Sequence, residues 1–419
     1  MPFLPPATHR DASVLITTRG IRGFVDGIVS LSITALLPLF GFSGLQIGVI
    51  VTGMLLGSAV TTMLVGTKAY AVPRRTLLFA GSGLMILTGT LFGVFTAFAA
   101  LLVVGVIGTM NPTSGDVSVF LPLEQSMLAG TTAATSRTAL YARYTFIGGV
   151  AGAFGSLAIR IPEAIAAHTS LSEEMALRWC FAAYALAGVV VLVLYRSLNG
   201  PEASGRGVVA APLGRSRQVV FRLAALFSLD AFGGGFVVQS MLALWLFRRF
   251  DLSVGAAGTL LFVTGTLSAA SGFVAAWLAA RIGLVRTMVF THLPANCLLI
   301  SAAFMPTMPL AVAMLVLRSL LSSMDVPART SYVMAVVSPE ERAAAASVTN
   351  VPRSLAAALP PTAAGWMLDR TTFGWPLVIA GACKVAYDLL LLQQFRHVRP
   401  EEEEEGEREP PAPQAQAAR

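Results

Sequence analysis

Apolar runs of about twenty residues follow one another along nearly the whole chain, as in "GLQIGVIVTGMLLGSAVTTMLVG" (44–66) and around "ALAGVVVLVL" (185–194). Each is long enough to cross a hydrocarbon layer roughly 30 Å thick as a helix rising about 1.5 Å per residue. Lipid offers backbone polar groups no partner, so a spanning segment must satisfy its hydrogen bonds internally, and these runs are far longer than the roughly ten residues a barrel strand uses. Composition agrees: 55% of residues are hydrophobic, 12% are charged, and the mean hydropathy is +0.72. The expected fold class is all-α integral membrane, which excludes a soluble domain.

The spans are placed at about 19–40, 44–67, 76–96, 98–120, 138–159, 178–197, 219–247, 254–280, 286–305, 309–336, 344–367 and 374–395, twelve transmembrane helices in all. They divide into an N-terminal six-helix bundle (1–197), a linker rich in Gly, Pro, Ser and Arg (198–218), a C-terminal six-helix bundle (219–396) and an acidic tail (397–419) whose composition reads as disordered. The N-terminus lacks the short apolar core and small-residue cleavage site of a secretory signal.

Basic residues set the orientation. One set of connections carries Lys68, Arg74, Arg75, Arg137, Arg196, Arg206, Arg215, Arg217, Arg222, Arg281, Arg286, Arg329 and Arg342, the opposite set only Arg160, Arg178, Arg248, Arg249 and Arg370. The first set, and with it both termini, is expected in the cytoplasm of a cell whose inner or plasma membrane holds the protein. The net charge of +7 is thus a topology signal, and no nucleic-acid partner is implied. Cys180, Cys297 and Cys383 lie in apolar runs and read as small buried residues.

The two halves repeat. Ser43 and Gly48 pair with Ser253 and Gly258 at an offset of 210, Asp116 with Asp325 at 209, and Arg143, Gly155 and Arg160 with Arg353, Gly365 and Arg370 at 210. Asp26 of "GFVDGIVS" pairs with Asp230 of "FSLDAFGG" at 204. Parallel repeated halves around a central site are the layout of rocking transporters.

At this point the sequence resembles the major facilitator superfamily over about residues 15–396. The family's signature after span 2, Gly-x-Leu-Ala-Asp-Arg-x-Gly-Arg-Arg, lies over "GTKAYAVPRR", where Gly66, Arg74 and Arg75 match while Tyr70 stands at the Asp position and Pro73 at the second Gly. Its repeat after span 8 lies over "AWLAARIGLVR", where Leu278, Ala279, Arg281 and Gly283 match while Ala276 and Ala280 replace Gly and Asp. Arg318–Ser347 is similar to the family's span 10 and following loop, and "GDVSVFLPLEQSMLAG" is its counterpart in the first half. The resemblance implies two rocking bundles, no cofactor, and a small-molecule substrate handled by a protein that works as a monomer in the lipid bilayer. It also implies that an acid normally latches the cytoplasmic gate at the positions of Tyr70 and Ala280, so other contacts must serve here.

A charge at the centre of a membrane helix costs at least about 2.5–3.5 kcal/mol, so each intramembrane charge needs a reason. Asp26 and Asp230 approach the midplane, where a partly desolvated carboxylate is suited to take up a proton or meet a substrate; the alternative is pairing with an arginine, such as Arg22 for Asp26. Arg318 also lies near the midplane. It is either a substrate or coupling cation or an ion-pair partner of Asp230. Asp116 with Arg143, and Asp325 with Arg353 or Arg329, are read as cytoplasmic gate pairs, together with Arg74, Arg75 and Arg281 of the signature segments. Glu124, Glu340, Glu341 and Arg342 fall in loops and are expected to be solvated. Lys384 and Asp388 stand four apart and are expected to neutralise each other. Tyr141, Tyr144, His292 and Asn296 can line a cavity or simply pack. "GGVAGAFG" (148–155) has the small-residue spacing for close helix approach and partly resembles the span 5 motif of the family's antiporters.

The four histidines are scattered, no metal cluster is expected, and neither H-E-x-x-H, a P-loop nor G-x-S-x-G occurs, so an enzyme is not indicated. The expected function is a secondary active transporter for a small organic solute, proton-coupled and exporting. A uniporter and a non-transporting sensor on the same fold are the alternatives.

Overall fold

The computed structural model describes residues 8–68, 72–113, 118–132, 136–198, 213–214, 216–337 and 341–395. Tyr70, Asp116, Glu340, most of the linker and the acidic tail lie outside the described residues. The first half of the chain forms α1 (Arg10–Leu39), α2 (Gly44–Lys68), α3 (Arg74–Val94), α4 (Phe98–Ile107), α5 (Phe120–Leu128), α6 (Arg137–Ala158), α7 (Arg160–His168) and α8 (Glu173–Arg196). The second half forms α9 (Arg217–Gly235), α10 (Gln239–Phe250), α11 (Val254–Ile282), α12 (Leu284–Phe304) and α13 (Met308–Ser319). It continues with α14 (Asp325–Ala335), α15 (Arg342–Ala358), α16 (Pro360–Arg370) and α17 (Trp375–Phe395).

Nine helical stretches among the described residues are long and apolar enough to cross a bilayer. The three other expected spans are built from shorter helices: α4 followed by α5, α13 followed by α14, and α15 followed by α16. Proline accounts for two of these breaks. Pro360 opens α16, and Pro327 sits in the first turn of α14, where its missing N–H and its ring prevent the helix from running on from residue 323. The expected seventh span is likewise split, between α9 and α10 after the Gly233–Gly235 run.

The repeat is visible in what each helix buries. In α8 the buried residues are Ala176, Leu177, Cys180, Phe181, Tyr184, Ala187, Gly188, Val191 and Tyr195; in α17 they are Pro376, Leu377, Ala380, Gly381, Lys384, Tyr387, Asp388, Leu391 and Phe395, each 200 residues on. Leu78, Gly81, Ser82, Met85, Thr88, Gly89 and Phe92 of α3 recur 207 residues later as Val285, Met288, Val289, His292, Ala295, Asn296 and Leu299 of α12. Val119, Phe120, Leu123, Glu124 and Leu128 around α5 recur at 209 as Ala328, Arg329, Tyr332, Val333 and Val337 around α14. A shared burial register fixes which side chains occupy equivalent places.

Within the first half α1 packs on α6 and α8, and α3 on α8; within the second, α9 packs on α15 and α17, and α12 on α17. Between halves, α2 meets α15 and α16, and α6 meets α11. The α1–α6 seam is the small-residue stripe expected from "GGVAGAFG". A Cβ on Gly23 would stand 2.6 Å from the Gly148 carbonyl oxygen, and one on Gly27 would stand 2.9 Å from the Ser156 amide nitrogen and nearer still to the Gly152 carbonyl. Not all the small residues are buried. Cys180 is, but Cys297 is exposed and Cys383 half-buried, which corrects the expectation for those two.

The seam predicts a sharp contrast. Gly27→Val must push two backbones apart and is expected to cost at least about 3 kcal/mol, the upper part of the overpacking range. Gly83→Ala, whose Cβ would meet nothing within 4 Å, is expected to gain about 0.5–1 kcal/mol from helix propensity. Denaturant unfolding of the purified protein in detergent checks both.

Candidate functional site

Glu124 is the centre of a buried polar cluster in the first half. It is fully buried, which corrects the expectation of a solvated loop residue. Its Oε1 accepts from the Tyr195 hydroxyl at 2.6 Å and the Thr18 hydroxyl at 2.7 Å, while Oε2 accepts from the Tyr144 hydroxyl and from Arg22. Arg22 in turn lies 4.1 Å from the ring centre of Phe120. The reason is local: α5 resumes the helix at Phe120 and carries Glu124 inward against α1, α6 and α8, which supply four donors. A buried charge is tolerable when it is this fully hydrogen-bonded.

Glu124 also decides the fate of Asp26. Arg22 stands one turn from Asp26, but its guanidinium is committed to Glu124. Asp26, 7% exposed, makes no hydrogen bond or ion pair among the described residues.

Its twin is in the opposite condition. Asp230 receives Lys384 Nζ at 2.6 Å and Arg329 Nη1 at 3.2 Å, and His292 Nε2 lies 3.8 Å away. The burial register explains the difference. Where the second half places Lys384, His292 and Arg329, the first half places Tyr184, Met85 and Phe120. None of those three can neutralise a carboxylate.

The second cluster corrects further expectations. Lys384 turns to Asp230 and not to Asp388, because its side chain reaches α9 across the inward stripe of α17 that both residues occupy. Asp388 instead lies 2.9 Å from His292 Nδ1 and accepts from Asn296 Nδ2 at 3.0 Å. His292 and Asn296 are thus packed inside this network. Asp325 pairs with Arg329 at 3.5 Å. Arg318 does not pair with Asp230: its half-buried side chain makes no ion pair among the described residues, and its Nε is buried without a hydrogen bond. Glu341, expected to be solvated, is buried and accepts from the amides of Gly214 (2.8 Å) and Ser216 (3.2 Å) ahead of α9.

Three of the remaining candidates make contacts within their own half. Arg75 Nη2 donates to the Arg196 carbonyl at 3.1 Å, Arg281 lies over the Trp277 ring at 4.1 Å, and the Tyr141 hydroxyl donates to the Gln125 carbonyl at 2.9 Å. Arg74 and Arg143 are half-buried, and Arg353 lines a small pocket with Arg329.

One contact that joins the halves was not among the candidates. Asp369, at the end of α16, accepts from the Gly44 amide at 2.6 Å, the Leu45 amide at 2.7 Å and Arg248 Nη1 at 2.8 Å. A carboxylate on the first amides of α2 is favoured by the helix dipole. Burial works to raise the Asp369 pKa, but the hydrogen bonds from Arg248, Leu45 and Gly44 outweigh it and hold the group below the ordinary carboxylate range. Its stabilising effect is present above that range and lost only as the pH falls through the depressed value, so the latch does not respond near neutrality. A pseudo-symmetric contact lies opposite, where the Glu163 carboxylate occupies the space a Cβ on Gly255 would need at the start of α11. Further in, the Thr362 hydroxyl and the Thr52 hydroxyl are 2.8 Å apart, and Gln239 Nε2 donates to the Ser156 hydroxyl at 2.9 Å. These contacts gather toward the end of the bundle that holds Gly44 and Asp369, here termed the latched end.

The sequence matches the Major Facilitator Superfamily model over residues 15–359 and 224–418. The uncharacterized membrane protein YJR124C of Saccharomyces cerevisiae is 23% identical over 421 residues, covering 92% of this chain and 94% of that one. Among solved structures, a bacterial homolog of the human lysosomal transporter Spinster, inward-facing and unoccupied, aligns with a TM-score of 0.64 at 18% identity, covering 91% of this chain and 94% of its own. The nucleoside transporter NupG aligns at 0.66 and 13%, covering 91% and 99%. A D-xylose-proton symporter aligns at 0.67 and 16%, covering 90% and 96%.

The two clusters predict opposite responses to neutralisation. Glu124→Gln strands Arg22 in the interior and is expected to cost about 3–5 kcal/mol. Asp26→Asn strands nothing and is expected to leave stability within about 1 kcal/mol of the original protein or above it. Unfolding midpoints of the two variants, measured side by side, decide the point.

Proposed function

Because the chain belongs to the major facilitator superfamily and is a transporter rather than an enzyme, we propose that it is a secondary active transporter that moves a small organic solute by alternating access, coupled to protons through Asp26. The observation that carries the coupling is the asymmetry of the twin aspartates: Asp230 is neutralised by Lys384 and Arg329, whereas Asp26 makes no ion pair among the described residues. An ionised carboxylate in a dry interior is costly without a partner. A proton, or a cation carried by the solute, is the partner that Asp26 lacks.

The fold relatives carry a nucleoside, D-xylose with a proton, and, in the human organic anion transporter MFSD10, organic anions. A small organic solute is therefore the class read for this chain. The protein works as a monomer in the plasma or inner membrane with both termini in the cytoplasm, and the latched end then faces outward. Export is the direction favoured by the partial likeness of residues 148–155 to the antiporter motif. The halves rock about the α2–α16 and α6–α11 seams, which is why glycine lines both: a Cβ on Gly48 would stand 3.0 Å from Thr362 Cα, and one on Gly265 would stand 3.2 Å from Ala153 Cβ.

The coupling is read in proteoliposomes carrying a pH-sensitive dye, with a metabolite and drug panel as solutes. Asp26→Asn is expected to abolish solute-driven proton movement while leaving a residual downhill solute flux. Solute flux indifferent both to a pH gradient and to Asp26→Asn would remove proton coupling and leave facilitated diffusion. The conformational half of the reading is tested separately. Gly48→Leu crowds the latched end, and is expected to raise thiol labelling at Thr362→Cys and lower it at Asn350→Cys; unchanged labelling at both would argue against rocking at this seam.

A further inference from the structure

A groove of about 680 Å³ runs between α7 of the first half and α11 and α13 of the second, a size within the roughly 300–1,000 Å³ of small-molecule sites. Leu260, Val263, Val312 and Val316 line its apolar part, and Arg160 and Glu163 supply its charges. Both charged residues converge on the start of α11: a Cβ on Gly255 would stand 3.2 Å from Arg160 Cγ and 3.0 Å from Glu163 Cδ. Val263 lies nine residues beyond Val254, the first of α11, and Val316 eight beyond Met308, the first of α13. The apolar wall therefore descends about 12–14 Å at about 1.5 Å per residue. That is close to one leaflet's share of a hydrocarbon core roughly 30 Å thick. Ile161 and Ile165 of α7 and Leu310 and Leu317 of α13 are exposed, as suits helices bordered by acyl chains.

The internal repeat explains why the groove exists. At the offset of 210, Val263, Val312 and Val316 correspond to Gly53, Leu102 and Val106. In the first half α4 closes onto α2 at the glycine, where a Cβ on Gly53 would stand 2.9 Å from both Leu102 Cδ1 and Val106 Cγ2. In the second half Val263 occupies that position with a branched side chain. It holds α13 off α11, and the space stays open beside α7.

The two charges are uncommitted. At the matching end of the other seam, Asp369 accepts from Gly44, Leu45 and Arg248. Glu163 stands in a similar place before α11, yet it makes no hydrogen bond or ion pair among the described residues, and neither does the Arg160 side chain one turn earlier. A cation and a carboxylate, neither neutralised, are thus presented side by side at the head of an apolar groove one leaflet deep. A guanidinium fork matches phosphate oxygens, and basic pockets between membrane helices bind lipid headgroups. A carboxylate beside it calls for a cationic N–H donor on the same headgroup.

We propose that the groove holds one aminophospholipid of the leaflet at the latched end, with its phosphate on Arg160, its primary ammonium on Glu163 and one acyl chain along Leu260, Val263, Val312 and Val316. The lipid touches both halves, because α7 belongs to the first and α11 and α13 to the second. The site goes beyond the transport reading and does not depend on proton coupling at Asp26.

The test uses the purified full chain in detergent, stripped of lipid and melted with mixed micelles of dioleoyl phosphatidylethanolamine, phosphatidylcholine or phosphatidylglycerol at equal lipid content. Phosphatidylethanolamine is expected to raise Tm by several degrees more than the other two, as a ligand of the folded state does. Phosphatidylcholine keeps the phosphate and the charge but has no N–H to donate; phosphatidylglycerol has no cation. Glu163→Gln and Arg160→Gln are each expected to abolish the preference for phosphatidylethanolamine. Val312→Phe fills the groove and is expected to abolish it too. Should Val312→Phe fail to fold, the two polar variants decide. An equal rise with all three lipids marks general solvation of the apolar belt and overturns the proposal. So does a rise with phosphatidylglycerol or phosphatidylcholine that matches phosphatidylethanolamine, the absence of any rise, or a preference that survives any of the substitutions. Because binding is read without transport, its failure would leave the transport reading standing, and lost transport would leave the lipid site standing.

Discussion

The interaction on which the structure depends is the buried Arg22–Glu124 pair with its three hydroxyl donors. It ties four helices, α1, α5, α6 and α8, at a point where neither water nor lipid can satisfy a charge. By taking the arginine one turn from Asp26, it also leaves the first aspartate without an ion pair among the described residues. The pair and the unpaired aspartate are thus two results of the same placement, because α1 presents Arg22 toward α5 and not back toward its own next turn.

The second half solves the same geometric problem with different residues. Its helices bury the same register positions, yet the polar load has moved from α5, α6 and the end of α8 to α12 and α17. Lys384, His292, Asn296 and Asp388 stand where the first half has Tyr184, Met85, Gly89 and Gly188. This shift neutralises Asp230 and joins α9, α12 and α17 through side-chain contacts. Shape is repeated and charge is not.

Much of this was legible in the sequence. Spans expected at 76–96, 286–305 and 374–395 appear as α3, α12 and α17 within a few residues, because hydropathy over a full bilayer crossing is a strong signal. A repeat at offsets of 204 to 210 was also readable; the burial register repeats the 209 at α5 and α14 and adds 207 for α3 and α12 and 200 for α8 and α17, pairs in which few residue types recur. What failed were readings confined to one segment. Glu124 follows the fourth apolar run, where hydropathy registers only a loop, and its burial depends on hydroxyls supplied by Thr18, Tyr144 and Tyr195 from other helices. Lys384 and Asp388 satisfy the one-turn rule for a helical pair, but that rule does not know that α9 offers Asp230 at the same depth. Nothing in the sequence marks Asp369, since its partners include backbone amides of α2, more than three hundred residues away in sequence.

The family's acidic gate residue is missing at Ala280, and Arg281 beside it stacks on Trp277 instead of reaching across to the other half. The described contacts across the seam lie toward the latched end, where Asp369, the Thr52–Thr362 pair and glycine on both α2 and α16 allow close approach. Away from the latched end, α5 and α14 each carry a charge engaged inside its own half, at Glu124 and Arg329. Asp26 and Arg318, by contrast, make no ion pair among the described residues. One is an acid and the other a base, one in each half, so on the proposed alternating-access reading a cargo or a proton that changes the charge between them would change which end state is favoured.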